Sequence, residues 1–158
     1  MYNLLEKKLH ELKISRHLKK NQSLANYKPY VFSNNFIFIS GQLPLTKNGL
    51  LHTGKISKEL DIKEVSTCIE VATSNLIWNV NDCISDIKTK ILSIQCCSIK
   101  GYFNCEETFE DHSKLLDISS NMIRKILGDS GVHSRVAIGV SSLPLNSPVE
   151  IEGIFSIS

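Results

Sequence analysis

The chain has 158 residues, of which 42% are hydrophobic and 22% charged; this suits one globular domain and excludes a disordered or fibrous chain. No run of eighteen apolar residues occurs, so no segment is predicted to span a membrane. The formal net charge is +2, and the basic excess sits at the N-terminus, where Lys7, Lys8, Lys13, Arg16, Lys19 and Lys20 outnumber Glu6 and Glu11.

Residues 3–12 place Leu4, Leu5, Leu9 and Leu12 on one helical stripe, with Asn3 as N-cap. Residues 19–29 read as a linker. The chain therefore divides into a helical arm and linker over 1–25 and a main domain over 26–158. "PYVF" and "NNFIFISGQ" form a predicted hairpin, turned at Asn34-Asn35, where positive φ is tolerated. "KNGL" is a second turn, and "LHTGKI" (51–56) a weak strand. Asp61 with Glu64 three residues on is a capping-box pattern opening a helix over 61–84. Val65, Cys68, Ile69, Ala72, Leu76 and Val80 form its apolar face. A strand over 90–103 follows, then a helix over 108–127 closed by Gly128, and two strands at 135–141 and 149–157.

This order predicts an α/β (α+β) fold: one mixed sheet with both long helices on a single face, connected by right-handed crossovers. The other face is left uncovered, and its apolar residues call for an oligomer. The N-terminus, charged from Glu6 onward, has no apolar signal segment, so the expected compartment is the cytoplasm. The five cysteines form no C-x-x-C pair, and Cys96 and Cys97, adjacent on a strand, point to opposite faces. Buried, reduced thiols are expected. The histidines do not stand at ligand spacing to them, so no metal site is predicted. There is no P-loop, dinucleotide fingerprint or G-x-S-x-G elbow.

The charges in the closing strands stand out. Arg135 opens one of them. Glu150 and Glu152 alternate with Val149 and Ile151 in the other, which puts both acids on one sheet face. Arg135 could pair with one of these acids or face a ligand. His133 reads as a residue of the loop entering the strand, Asp117 as a solvated helix position, and Trp78 and Phe103 as packing residues. The basic arm reads as a solvated face, with RNA or an acidic partner as the alternative.

"SGQLP" (40–44), "GKI" (54–56), "GDSGVHSR" (128–135) and "RVAIGVSSLPLNSPVEIEGI" (135–154), in this order, resemble the Rid, or YjgF, family of reactive-intermediate deaminases. The resemblance runs from about Asn26 to Ile157, and the N-terminal helix is similar to a longer subgroup. It implies a chorismate-mutase-like fold, a homotrimer, and ligand clefts between subunits. It further implies hydrolysis of 2-imino or 2-enamino acids to 2-keto acids and ammonia, without metal or cofactor. By position Arg135 matches the arginine that holds the substrate carboxylate, and Glu150, rather than Glu152, the glutamate that positions water. Ser40, Gly41 and Ala137 would line the cleft. Ala137 stands where a cysteine is frequent, and the N-terminal aromatic is either Tyr27 or Tyr30. The family's helix asparagine is replaced by Ile118 or, with a one-residue shift, by Asp117. A trimer that binds small carboxylates without turnover, as a sensor or chaperone-like partner, is the alternative; RNA cleavage or translation inhibition ranks last, since only the basic arm supports it.

Overall fold

The computed structural model describes residues 4–20, 26–87 and 91–158. The expected N-cap Asn3, linker residues 21–25 and strand start at Lys90 lie outside the described residues. In chain order the elements are α1 (Leu4–Glu11), β1 (Tyr30–Ser33), β2 (Phe36–Gln42), β3 (Leu45–Thr46), β4 (Gly49–Leu50), α2 (Ile62–Asp86), β5 (Ile94–Asn104), α3 (His112–Leu127), β6 (Ser134–Val140) and β7 (Val149–Ile157). Short 3-10 turns at Gly128–Gly131 and Pro144–Asn146 flank β6.

Five strands form one mixed sheet in the order β1-β2-β7-β5-β6, and β3 and β4 make a separate small hairpin. The β1–β2 turn is made by Asn34 and Asn35, both at positive φ, as a tight hairpin requires. β7 runs antiparallel to both β2 and β5, while β5 and β6 are parallel. Helix α3 makes the crossover between β5 and β6. Helix α2 connects the β2 side of the sheet to β5.

Both long helices cover one face. Ile37, Ile39, Cys96, Ile99, Phe103, Val149, Ile151 and Phe155 are buried beneath them. The opposite face carries Val31, Phe36, Phe38, Val136 and Ile138, all exposed. Alternation along β7 is complete: its odd-numbered residues are buried and its even-numbered ones half-buried.

Helix α2 opens on a full capping box. The Asp61 carboxylate accepts from Glu64 N at 2.9 Å, and Glu64 Oε2 accepts from Asp61 N at 3.0 Å. Its burial extends well beyond the predicted stripe, to Thr73, Ser74, Asn75, Trp78, Asn81 and Asp82. The arm supplies much of that cover. Leu5 and Leu9 join the common core. Trp78 Nε1 donates to Ile14 O at 3.2 Å, and Arg16 lies over the Trp78 ring while its Nη1 donates to Asp82 Oδ1 at 2.9 Å. Lys20 pairs with Asp86. Two of the basic arm's cations are thus committed within the chain.

Three sequence expectations change. Residues 51–56 do not form a strand: Gly54 takes φ +118, which breaks an extended run, and of these residues only Ile56 makes isolated bridges, to Leu60 and Cys105. Helix α3 begins at His112, not 108, because Phe109 N turns back onto Glu106 O at 3.0 Å. The central strand begins at Ile94 and contains a register shift between Cys96 and Ser98. All five cysteines are reduced; burial pushes the Cys68 and Cys83 thiols up to about 11 and Cys96 up to about 12, so they stay protonated. Among the described residues no helix is long and apolar enough to cross a membrane.

The docking of α1 is open to a direct check. Leu9 is fully buried, so Leu9→Ala should cost about 2–5 kcal/mol, read as a lower urea midpoint; an unchanged midpoint would mean that the arm does not share the core.

Candidate functional site

The residues singled out by the sequence fall into two groups on opposite faces of the sheet. The first group lies where β2 meets β7. Ile39 pairs with Gly153 and Gln42 with Ile151, so Ser40 and Gly41 together stand opposite Glu152. This is a β-bulge, a device that re-aims side chains. It is pinned from several sides. Ser40 N donates to Pro29 O at 3.0 Å and Ser40 Oγ to Lys28 O at 2.7 Å. Gln42 Nε2 donates to Ser40 O at 2.8 Å, and Asn79 Nδ2 of α2 holds Gln42 Oε1 at 3.0 Å. Asn75 Nδ2 ties down the following loop through Leu43 O and Leu45 O.

Gly41 lies against Glu150. A Cβ at Gly41 would come within 1.7 Å of Glu150 Oε1, so any other residue there would displace the carboxyl group. Glu150 is half-buried. Among the described residues no cation or hydrogen-bond donor pairs with it. Burial first, and the nearby Glu152 second, raise its pKa above the ordinary 4.5, since both disfavour the charged form. Glu152, two residues on, is different. Lys100 Nζ lies 2.7 Å from Glu152 Oε1, and Tyr102 Oη donates to the same oxygen at 3.3 Å. Two acids on one face therefore have separate environments, one paired and one not.

The second group lies between β6 and α3, on the helix-covered side. Arg135 does not pair with Glu150 or Glu152. Its Nη1 donates to Asp117 Oδ1 at 2.7 Å and Ser120 Oγ at 3.0 Å, and its Nη2 to Ser113 Oγ at 2.9 Å. Ser113, Asp117 and Ser120 are spaced four and three apart, which stacks them on one face of α3. Asp117, expected to be merely solvated, is the guanidinium's ion-pair partner, and Ile118 packs instead against the core. His133 Nδ1 lies 2.6 Å from Gly131 O and Nε2 3.1 Å from Ser120 Oγ. A carbonyl only accepts, so Nδ1 carries the proton, and in neutral imidazole Nε2 then accepts from the Ser120 hydroxyl. His133 thereby orients a serine that in turn orients the arginine. Ala137 follows Arg135 on the same face and packs against the core.

The register shows why one chain keeps these groups apart. Arg135 stands beside Ile99, buried under the helices, whereas Glu150 stands beside Tyr102 of the open face. Tyr30 joins neither group: its hydroxyl donates to Asp86 Oδ2 at 2.6 Å. Tyr27 is exposed. Among the described residues no three His, Cys, Asp or Glu side chains are grouped to hold a metal ion. Sequence reasoning missed Ser113, Ser120, Asn79, Gln42 and Lys100. The first two were signalled by their helical spacing with Asp117; the others depend on contacts between distant segments.

Residues 16–155 match the family model described as "YjgF/chorismate_mutase-like, putative endoribonuclease". The crystal structure of Atu1372, a protein of unknown function from Agrobacterium tumefaciens, is similar to this chain with a TM-score of 0.80 and 28% identity, covering 98% of this chain and 92% of that one. A Shewanella oneidensis protein given the same endoribonuclease description reaches a TM-score of 0.81 at 25% identity, covering 99% and 100%. Protein TCP17 of Trypanosoma cruzi is 24% identical over 135 residues, 85% of this chain and 82% of that protein.

Glu150 has a consequence for stability. A carboxyl whose folded pKa is raised binds its proton more tightly folded than unfolded, so it costs stability as pH climbs from the ordinary 4.5 through the folded value. Glu150→Gln should therefore melt higher than wild type at pH 7–8, with the difference vanishing near pH 4. Equal melting curves across that range would show that Glu150 carries no such cost.

Proposed function

The chain belongs to the YjgF/chorismate-mutase-like family, also called Rid, and on that premise we propose that it is a homotrimeric deaminase. In this reading it hydrolyses reactive 2-imino and 2-enamino acids to 2-keto acids and ammonia. The observation that carries the proposal is the unpaired, half-buried Glu150 carboxyl beside a bulge that leaves room for it.

Each cleft combines Arg135 of one chain with Glu150, Ser40 and Gly41 of a neighbour. The exposed Val31, Phe36, Phe38, Val136 and Ile138 supply the apolar surface that assembly would cover. Arg135 anchors the C1 end of the substrate, next to the reacting C2, and is held in place by its bonds to α3. Glu150 takes a proton from water as the new C–O bond forms at C2 and the imine nitrogen becomes an amine. It returns that proton to nitrogen to complete the carbinolamine, then carries the new hydroxyl's proton to nitrogen as the C=O forms, the C–N bond breaks and ammonia leaves. A raised pKa suits this exchange, because a base and acid in one group works best near the operating pH. An enamine first gains a proton at C3 and gives one up from nitrogen to become the imine. RNA cleavage draws no comparable support, since Arg16 and Lys20 of the arm are engaged by Asp82 and Asp86.

The test follows from the shared cleft. Wild type should release keto acid and ammonia from enzymatically generated 2-aminoacrylate, and Arg135→Ala and Glu150→Gln should each lose about 100-fold or more. Co-refolding the two inactive variants in equal amounts should restore about a quarter of wild-type activity, the random-assembly expectation when each cleft draws one residue from each of two chains. Absence of recovery would refute the shared cleft. Binding of 2-oxobutanoate with no turnover in wild type would leave only a carboxylate-binding module.

A further inference from the structure

The arginine on which that reading rests is already in contact with a carboxylate. Asp117 Oδ1 takes an Nη1 hydrogen of Arg135 at 2.7 Å, and the second Asp117 oxygen has no partner among the described residues. Of the five guanidinium N–H groups, those directed to Asp117, Ser120 and Ser113 are used. Two remain. The pair therefore offers an incoming group two N–H donors and one carboxylate acceptor, with no net charge. Ser113 and Ser120 are neutral and do not alter that balance.

We propose that Asp117 is a specificity-determining residue, which makes the anchoring end of the cleft select an uncharged carboxamide-type group over a free carboxylate. This rests on Arg135 being the substrate anchor. A carboxylate bound to the two remaining donors would sit within one guanidinium width of the Asp117 carboxylate, and like charges at that range oppose binding. A carboxamide avoids the conflict. Its oxygen accepts from Arg135, and its N–H donates to the unused Asp117 oxygen. A free carboxylate has no hydrogen to offer that oxygen, whereas a carboxamide makes both contacts at once. The substrate class is then imines and enamines of 2-oxo amides, with the corresponding acids as weaker substrates.

The measurement is calorimetric titration of the full-length protein with 2-oxobutanoate and with 2-oxobutanamide, for wild type and Asp117→Asn. Wild type should bind the amide about fivefold or more tighter than the acid, and Asp117→Asn should reverse the order, with the acid gaining roughly tenfold. The ratio of the two affinities is the readout, because an aspartate that only positions Arg135 would change both together. A wild-type preference for the acid overturns the proposal while leaving the anchor reading intact, and needs no variant to be observed. An equal loss of both ligands in Asp117→Asn also overturns it. If neither ligand binds either protein, the Arg135 anchor itself fails, and this inference with it.

Discussion

Everything about the site depends on the period-two geometry of β6 and β7. Residues on a strand face alternate sides of the sheet, so one register fixes which face each charge takes. Arg135 shares a level with Ile99 and Glu150 with Tyr102. These β5 residues are three apart and therefore face opposite sides. A slip of one residue would invert every assignment and bury Glu150 and Glu152 beneath the helices. The apolar set at Val149, Ile151, Phe155 and Ile157 forbids that slip. The same hydrophobic pattern that holds the fold together thus keeps the guanidinium and the free carboxyl apart within a chain. A reaction that uses both must run between chains.

Helix α2 links this sheet geometry to the two half-sites. Its buried polar residues are not isolated. Asn79 reaches the bulge through Gln42, and Thr73 Oγ1 meets Ser119 Oγ of α3 at 2.6 Å. Ser119 precedes Ser120, which holds Arg135. One rigid helix therefore sets the height of the bulge at one end of the sheet and the seating of α3 at the other. The arm completes this arrangement by covering the outer side of α2, with Leu9 in the common core and Arg16 over the Trp78 ring. Burying so many polar groups is tolerable because most are bonded.

Local signals were legible in the sequence where one segment decides them. The Asp61 and Glu64 capping box, the Asn34-Asn35 turn and the alternation along β7 each need only their neighbours. The sheet with two covering helices followed from the order of those elements. What escaped is tertiary. The weak strand at 51–56 had suitable residues, but Gly54 adopts a backbone that ends extension. Asp117 could be assigned to Arg135 only once α3 was set against β6, since an ungapped count pointed to Ile118. The bulge at Ser40 and Gly41 leaves no compositional mark beyond the glycine. That Glu152 is paired and Glu150 is not depends on Lys100 standing level with Glu152 on the neighbouring strand.

That last distinction carries the chemistry further than residue type can. Three carboxyl groups bear on the two half-sites: Glu150, Glu152 and Asp117. Glu152 is held by a lysine and Asp117 by an arginine. Glu150 has no cation to lose, and burial already favours its neutral form. Proton exchange is therefore cheapest there. Two of the three acids are thus committed to Lys100 and Arg135, which leaves Glu150 as the carboxyl available to the proposed reaction. The Asp117 carboxylate, paired with Arg135, then bears on which ligand groups the remaining guanidinium donors can hold.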